Sequence, residues 1–340
     1  MSLFSLPETR QPILLTGVYR SGTSILHQIV NAHPQVSLVY DAIKFLRFVV
    51  DRFAPIEENW EQALEETHLR LTQRWQMPFD LDNAKVELFS LPKVEAQDLY
   101  YAIMKAVDPE LKSNTKVRWG EKNAMVWTKV PDFLRLFPEG QVIHIIRDPR
   151  DVVASYKKMT NEIGKTYLDG AFNCLHAMNA IQAYSQCYSE KQFRFIRLED
   201  LVSNPEDQAR ELCKFLDLPE SNAMIQYENY RDKQGKTWQH NSAFTGSSAG
   251  IFSETNRRSN LTDEELFLVE LIAGQKMLEF GYEPSGNLPS ISQCKSAFDC
   301  LEDDYLREGF DLFMKTGNGR EQYRTNPIAT ELQAVGVELL

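Results

Sequence analysis

The sequence predicts an α/β fold. It has a mostly parallel sheet flanked by helices on both faces, a helical insertion and a C-terminal helical extension. Three observations predict this. Apolar runs at 13–15, 36–40, 141–146 and 193–198 read as buried strands, and 116–123 reads as a short strand entering a polar loop. Segments with apolar residues at helical spacing separate them, so strands and helices alternate. Arg20 and Arg147 both fall just past strand ends, where sheets of this kind bind ligands.

Composition narrows the class. A chain of 340 residues can hold one large α/β domain with insertions, or two smaller domains. A hydrophobic content of 43% and a charged content of 25% are ordinary for a globular protein. The net charge of −11 argues against nucleic acid as the main partner. Cys174, Cys187, Cys213, Cys294 and Cys300 are scattered, and none forms a Cys-x-x-Cys pair. Reduced thiols are expected, with neither a disulfide framework nor a zinc site. Residues 1–11 lack a basic and then apolar leader, and no run approaches the roughly 18 apolar residues of a membrane span. The expected location is the cytoplasm.

In chain order, the strand at 13–15 runs into a loop bounded by Gly17 and Gly22, and a helix begins at Thr23, with Ile25, Leu26, Ile29 and Val30 at helical spacing. His33-Pro34 stops it. Asp41 follows the second strand directly, and Phe45, Phe48, Val49 and Phe53 then read as a helix. Residues 57–107 read as mostly helical, with 79–92 as a mixed loop. This aromatic insertion, about 42–115, is the expected substrate-binding region. A helix over 130–137 ends at Pro138 and Gly140. Asp148 is a good N-cap and Pro149 a good first helical residue for the segment after the 141–146 strand. Further helices are expected over 167–190, 205–216 and 262–280, the last with Thr262 and Glu265 as a capping box. Residues 231–259 read as a long polar loop, and 284–289 as a linker. Phe298, Leu301, Tyr305, Phe310 and Phe313 suggest one amphipathic helix. The expected division is one domain over 1–284 and an extension or tail over 285–340.

The strand–loop–helix at 13–26 is an anion cradle, which makes the fold P-loop-type. The first N–H groups of a helix lack internal partners, and the helix dipole favours negative charge there. Gly22 lets backbone approach a phosphate, while Ser21, Thr23 and Ser24 add hydroxyls. Gly17 and Gly22 have the spacing of a Walker A loop, but Thr23 stands where its Lys belongs, and the cation is Arg20 inside the loop. A magnesium–nucleotide kinase is therefore disfavoured, though it remains the rival enzyme class. A non-catalytic nucleotide-binding protein is the rival outside enzymes.

Arg147 offers a forked donor suited to phosphate. Ser155 lies on the following helix, about 9 Å along it from Pro149 at about 1.5 Å per residue. The two can grip one phosphate from two sides.

Tyr19-Arg20-Ser21-Gly22-Thr23-Ser24 resembles the 5′-phosphosulfate loop of sulfotransferases that use 3′-phosphoadenosine 5′-phosphosulfate (PAPS). The segment 145–156, with Arg147 and Ser155, resembles that family's 3′-phosphate site. Trp119-Gly120-Glu121-Lys122-Asn123 is similar to a segment of the bacterial, tyrosylprotein-sulfotransferase-like branch. The resemblance covers roughly residues 12–282. It implies sulfuryl transfer from PAPS to an acceptor hydroxyl, or alternatively an amine, with adenosine 3′,5′-bisphosphate as the product. It implies Arg20 and Lys122 as stabilisers of leaving-group charge. Asp41 stands where relatives carry a catalytic Glu, one methylene longer, and is the implied base; Glu121 is the reserve. Tyr40 and Phe45 would desolvate Asp41 and raise its pKa. The alternative role of Asp41 is an N-cap for a helix at 42. Leu198 replaces the family's usual Tyr near the adenine, and Arg257 or Arg258 matches the late-loop Arg that closes over the cofactor. No metal is implied. The expected partner is a small-molecule or carrier-bound acceptor, partly apolar, and a homodimer is compatible with the family.

Overall fold

The structure, a computed structural model, describes residues 11–108, 110–111, 116–158, 165–232, 236–238, 258–283, 285–286, 290–301, 303–321 and 331–336. Five strands form one sheet: β1 (Pro12–Gly17), β2 (Val36–Tyr40), β3 (Arg118–Lys122), β4 (Gln141–Ile146) and β5 (Phe193–Arg197). Their order is β2-β3-β1-β4-β5, and every neighbouring pair is parallel.

β1 and β4 are buried along their whole length, which is why they read as unbroken apolar runs. Alternate residues of β1 serve two cores. Ile13 and Leu15 pack with Leu26, Ile29 and Val30 of the helix Thr23–Asn31. Leu14 faces the other way, into a core with Trp119, Phe45, Tyr100 and Phe137. The chain leaves β1 towards β2 on one side, and β4 lies on the other. The crevice between those directions opens at the carboxyl end of β1, the usual ligand site of such sheets.

The insertion is helical, with Ile56–Leu69, Leu81–Phe89 and Ala96–Val107 as its main helices. The helix Leu81–Phe89 corrects the loop expected over 79–92. Asp80 caps it by accepting from the Asn83 N–H at 3.2 Å, and Ala84 and Leu88 supply its buried side. Val86 and Phe89 are apolar but exposed, which blurred the helical period of its buried face. The Asp148 cap and the Thr262–Glu265 capping box form as expected.

The single helix expected around 298–313 is two, Ile291–Phe298 and Asp304–Thr316. Asp303 starts the second by accepting from the Leu306 N–H at 2.8 Å. Leu301 and Leu306 are buried against Phe172, Leu175, Leu268 and Val269. β5 ends at Arg197, one residue short of the expected end, and Leu198 opens the helix Leu198–Ser203. Among the described residues no helix is long and apolar enough to cross a membrane. Most of the 231–259 loop and of the 284–289 linker lies outside the described residues.

Candidate active site

Each strand of the sheet delivers one candidate residue at its carboxyl end. Across the sheet these run Asp41 after β2, Lys122 ending β3, Arg20 after β1, Arg147 after β4 and Leu198 after β5. Neighbouring strands lie about 4.8 Å apart, so Asp41 and Arg147, three strands apart, stand roughly 14 Å from each other along that edge.

The loop after β1 is shaped by its glycines and by Ser21. The Ser21 hydroxyl donates to the Val18 carbonyl at 2.6 Å, so it braces the loop. Gly22 has φ 100°, and a Cβ there would lie 2.7 Å from Leu198 Cδ1. Only glycine meets both demands. Thr23 is buried, and the first turn of its helix carries no acidic residue, which suits an anion. Ser24 does not point a lone hydroxyl at the cradle: its Oγ lies 2.6 Å from the Tyr40 hydroxyl. Tyr19 packs beside Val18, Met125 and Trp127.

Arg20 has φ 70°, a left-handed conformation costing about 1–2 kcal/mol. Its Nε donates to Ser155 Oγ at 2.9 Å. Arg147, 6% exposed, directs Nη1 to the Arg20 carbonyl at 3.4 Å. The three residues therefore meet at one place, and the loop after β1 and the helix Pro149–Lys157 form a single site.

Asp41 and Lys122 form the other end. Lys122 Nζ lies 2.9 Å from Asp41 Oδ2 and 4.3 Å from the centre of the Tyr40 ring. Burial alone would lower the Lys122 pKa, but the Asp41 carboxylate and Tyr40 outweigh it and leave it above its ordinary value. The Ala124 N–H donates to Asp41 Oδ1 at 3.3 Å. No helix starts at 42, so Asp41 is not an N-cap. It occupies a turn with φ 53° and makes that turn's side-chain contact to Lys122.

Glu121, the reserve base, is 1% exposed and its carboxylate accepts from the Lys44 N–H at 2.7 Å and the Phe45 N–H at 3.0 Å. Burial pushes its carboxyl up to about 7, against the pull of those N–H groups. Successive strand residues face opposite sides, so it and Lys122 diverge. Arg258 is engaged by Asp148 at 3.1 Å, and Arg257 lies outside the described residues.

Sequence reasoning missed Arg70. It is fully buried on the insertion and donates to the Ala42 carbonyl at 3.2 Å and the Ile43 carbonyl at 2.8 Å. No sequence signal links it to Asp41. A cavity of about 1070 Å³ follows the open edge of β2, and Tyr40, Met77, Val107, Asp108, Arg231 and Trp238 are among its walls.

With that geometry in place, the comparisons identify the class: the chain belongs to the sulfotransferase family, whose model matches residues 12–222. It is similar to the protein-tyrosine sulfotransferase of Drosophila melanogaster, 24% identical over 225 residues that make up 65% of this chain and 41% of that protein. It is also similar to protein-tyrosine sulfotransferase 1 of Danio rerio, 26% identical over 226 residues, 66% of this chain and 58% of that protein. The chain thus spans about half the length of these curated relatives. Among solved structures it is similar to the sulfotransferase domain from the Synechococcus PCC 7002 olefin synthase, with a TM-score of 0.48, 16% identity, and coverage of 80% of this chain and 98% of that one.

Proposed function

We propose that this chain transfers the sulfuryl group of PAPS to a hydroxyl of a partly apolar acceptor. The observation that carries this is the order of groups along the sheet edge: carboxylate, ammonium, loop guanidinium, second guanidinium. A doubly ended anion laid across the ends of β3, β1 and β4 meets a cation at each step and a base at one end. The residues fit such a group. A Cβ at Gly22 would press on Leu198, the adjoining helix start carries no acid, and Arg20 and Arg147 meet beside it, with Lys122 next along the sheet edge.

In this reading Arg147 and Ser155 hold the 3′-phosphate. Arg20 and the helix start at Thr23 hold the phosphosulfate end, and Leu198 walls the nucleotide against Gly22. When bound, PAPS supplies the sulfuryl group and leaves as adenosine 3′,5′-bisphosphate. Lys122 balances charge where it builds on the leaving phosphate; fixed charges of this kind act without reorganising during reaction. Asp41 accepts the acceptor proton, and Lys122 and the Ala124 N–H hold its carboxylate in place. A positioned base of this sort contributes about 10²–10⁴-fold. The acceptor approaches from the β2 edge, where the cavity lies and where Met77, Val107 and Trp238 give it apolar walls. The five cysteines are free thiols, in keeping with a reducing cytoplasm.

The test is a mass-shift screen of small hydroxyl compounds and carrier-bound intermediates incubated with PAPS. A product heavier by one sulfuryl group, formed together with the bisphosphate, is expected. Transfer of phosphate from ATP instead would make the protein a kinase.

A further inference from the structure

We propose that Glu331, in the C-terminal extension, is a positioning residue for Asp41; this rests on the assignment of Asp41 as the base. The turn 41–45 contains two left-handed residues that are not glycine, Asp41 at φ 53° and Lys44 at φ 51°. Such a turn persists only where its surroundings over-determine it.

Two side chains bond its backbone directly. The Glu121 carboxylate takes the N–H groups of Lys44 and Phe45. The Arg70 guanidinium takes the carbonyls of Ala42 and Ile43, and stacks 4.0 Å over the Phe48 ring. Arg70 is 0% exposed. Burial drives its pKa below the ordinary value, and Glu331 is the strongest opposing charge. A guanidinium this deep needs a carboxylate partner.

Among the described residues that bonded partner is Glu331, whose Oε2 lies 3.2 Å from Arg70 Nη1. Its Oε1 lies 3.1 Å from Lys44 Nζ. One carboxylate from the far end of the chain thus neutralises the cation that grips 42–43 and the side chain of residue 44. Glu331 is 4% exposed, and Leu332 beside it is fully buried. A second carboxylate of the extension, Glu321, pairs with Arg47 and accepts from the Thr128 N–H at 3.0 Å. The extension therefore holds the segment that carries the base. Without Glu331, Arg70 would be left as a buried unpaired charge and would pull away from the turn towards water.

The test uses full-length protein, with bisphosphate release from PAPS as the readout and 2-naphthol as the hydroxyl probe. Glu331→Gln is expected to lower kcat about 10–100-fold, while KM for PAPS and the Kd of adenosine 3′,5′-bisphosphate stay within about twofold. Glu331→Asp keeps the charge and should fall between; it is the variant to read if the Gln form does not fold. In an Asp41→Ala background, Glu331→Gln should cost nothing further, because its effect runs through Asp41. An unchanged kcat in Glu331→Gln, or an equal loss in both backgrounds, would overturn the proposal and leave the base assignment standing. Normal turnover in Asp41→Ala alone would overturn both.

Discussion

Arg20 Nε donates to Ser155 Oγ at 2.9 Å, which fastens the loop after β1 to the helix after β4. The hydroxyl sets where a guanidinium in a left-handed residue points. Ser155→Ala removes that rest. Calorimetric titration with adenosine 3′,5′-bisphosphate should then show affinity about fivefold weaker, the worth of a hydrogen bond near 1 kcal/mol. Ser155→Thr, which keeps the hydroxyl, should lose less.

Asp41 and Lys122 should separate binding from chemistry. Asp41→Asn keeps the shape but cannot take a proton. Turnover should fall at least about 100-fold, with bisphosphate affinity retained. Lys122→Met removes the ammonium beside a largely buried carboxylate, so it should lower both turnover and melting temperature. The check is steady-state kinetics beside thermal melts of the two variants.

Glu121 gives a pH signature of stability. Its carboxyl rises from 4.5 to about 7 on burial. Between those values the folded state holds a proton that the unfolded chain has released. The stabilisation is whole below about pH 4.5 and is lost as pH rises through about 7, by up to about 3 kcal/mol. Denaturant titrations from pH 5 to 8 should show wild type losing stability relative to Glu121→Gln. Parallel pH profiles of the two would remove this account of Glu121.

The strands and the strand–loop–helix at 12–31 were legible because each is local. An apolar run, a Gly-bounded loop and a helix start at Thr23 need only neighbouring residues. The Asp148 cap and the Thr262–Glu265 box were legible for the same reason. Arg70 and Glu331 were not, since their bonds to the 42–44 turn join residues far apart in the chain and neither sits in a motif. The pairing of Ser24 with Tyr40 was also hidden, because they meet only when the helix Thr23–Asn31 packs against β2. The helix Leu81–Phe89 was missed because its apolar residues point both ways, Ala84 and Leu88 inward and Val86 and Phe89 to solvent, so no clean period shows.

Gly22 is constrained twice, by φ 100° and by Leu198 Cδ1 at 2.7 Å from any added Cβ. Gly22→Ala should weaken bisphosphate binding by at least about tenfold. Adding Leu198→Ala relieves the contact but not the backbone strain of about 1–2 kcal/mol, so recovery should be partial. Full recovery in the double variant would mean that φ at this position does not matter.

The central claim is that one nucleotide with phosphate at both ends lies across the strand ends from Lys122 to Arg147. Titration calorimetry in magnesium-free buffer tests it most directly, with adenosine 3′,5′-bisphosphate, adenosine 5′-monophosphate and ATP against wild type and Arg147→Ala. The account predicts 1:1 binding of the bisphosphate, weaker binding of the monophosphate, and a loss of that difference in Arg147→Ala. Equal affinity for both nucleotides in wild type, or a preference for ATP that appears with magnesium, would contradict it.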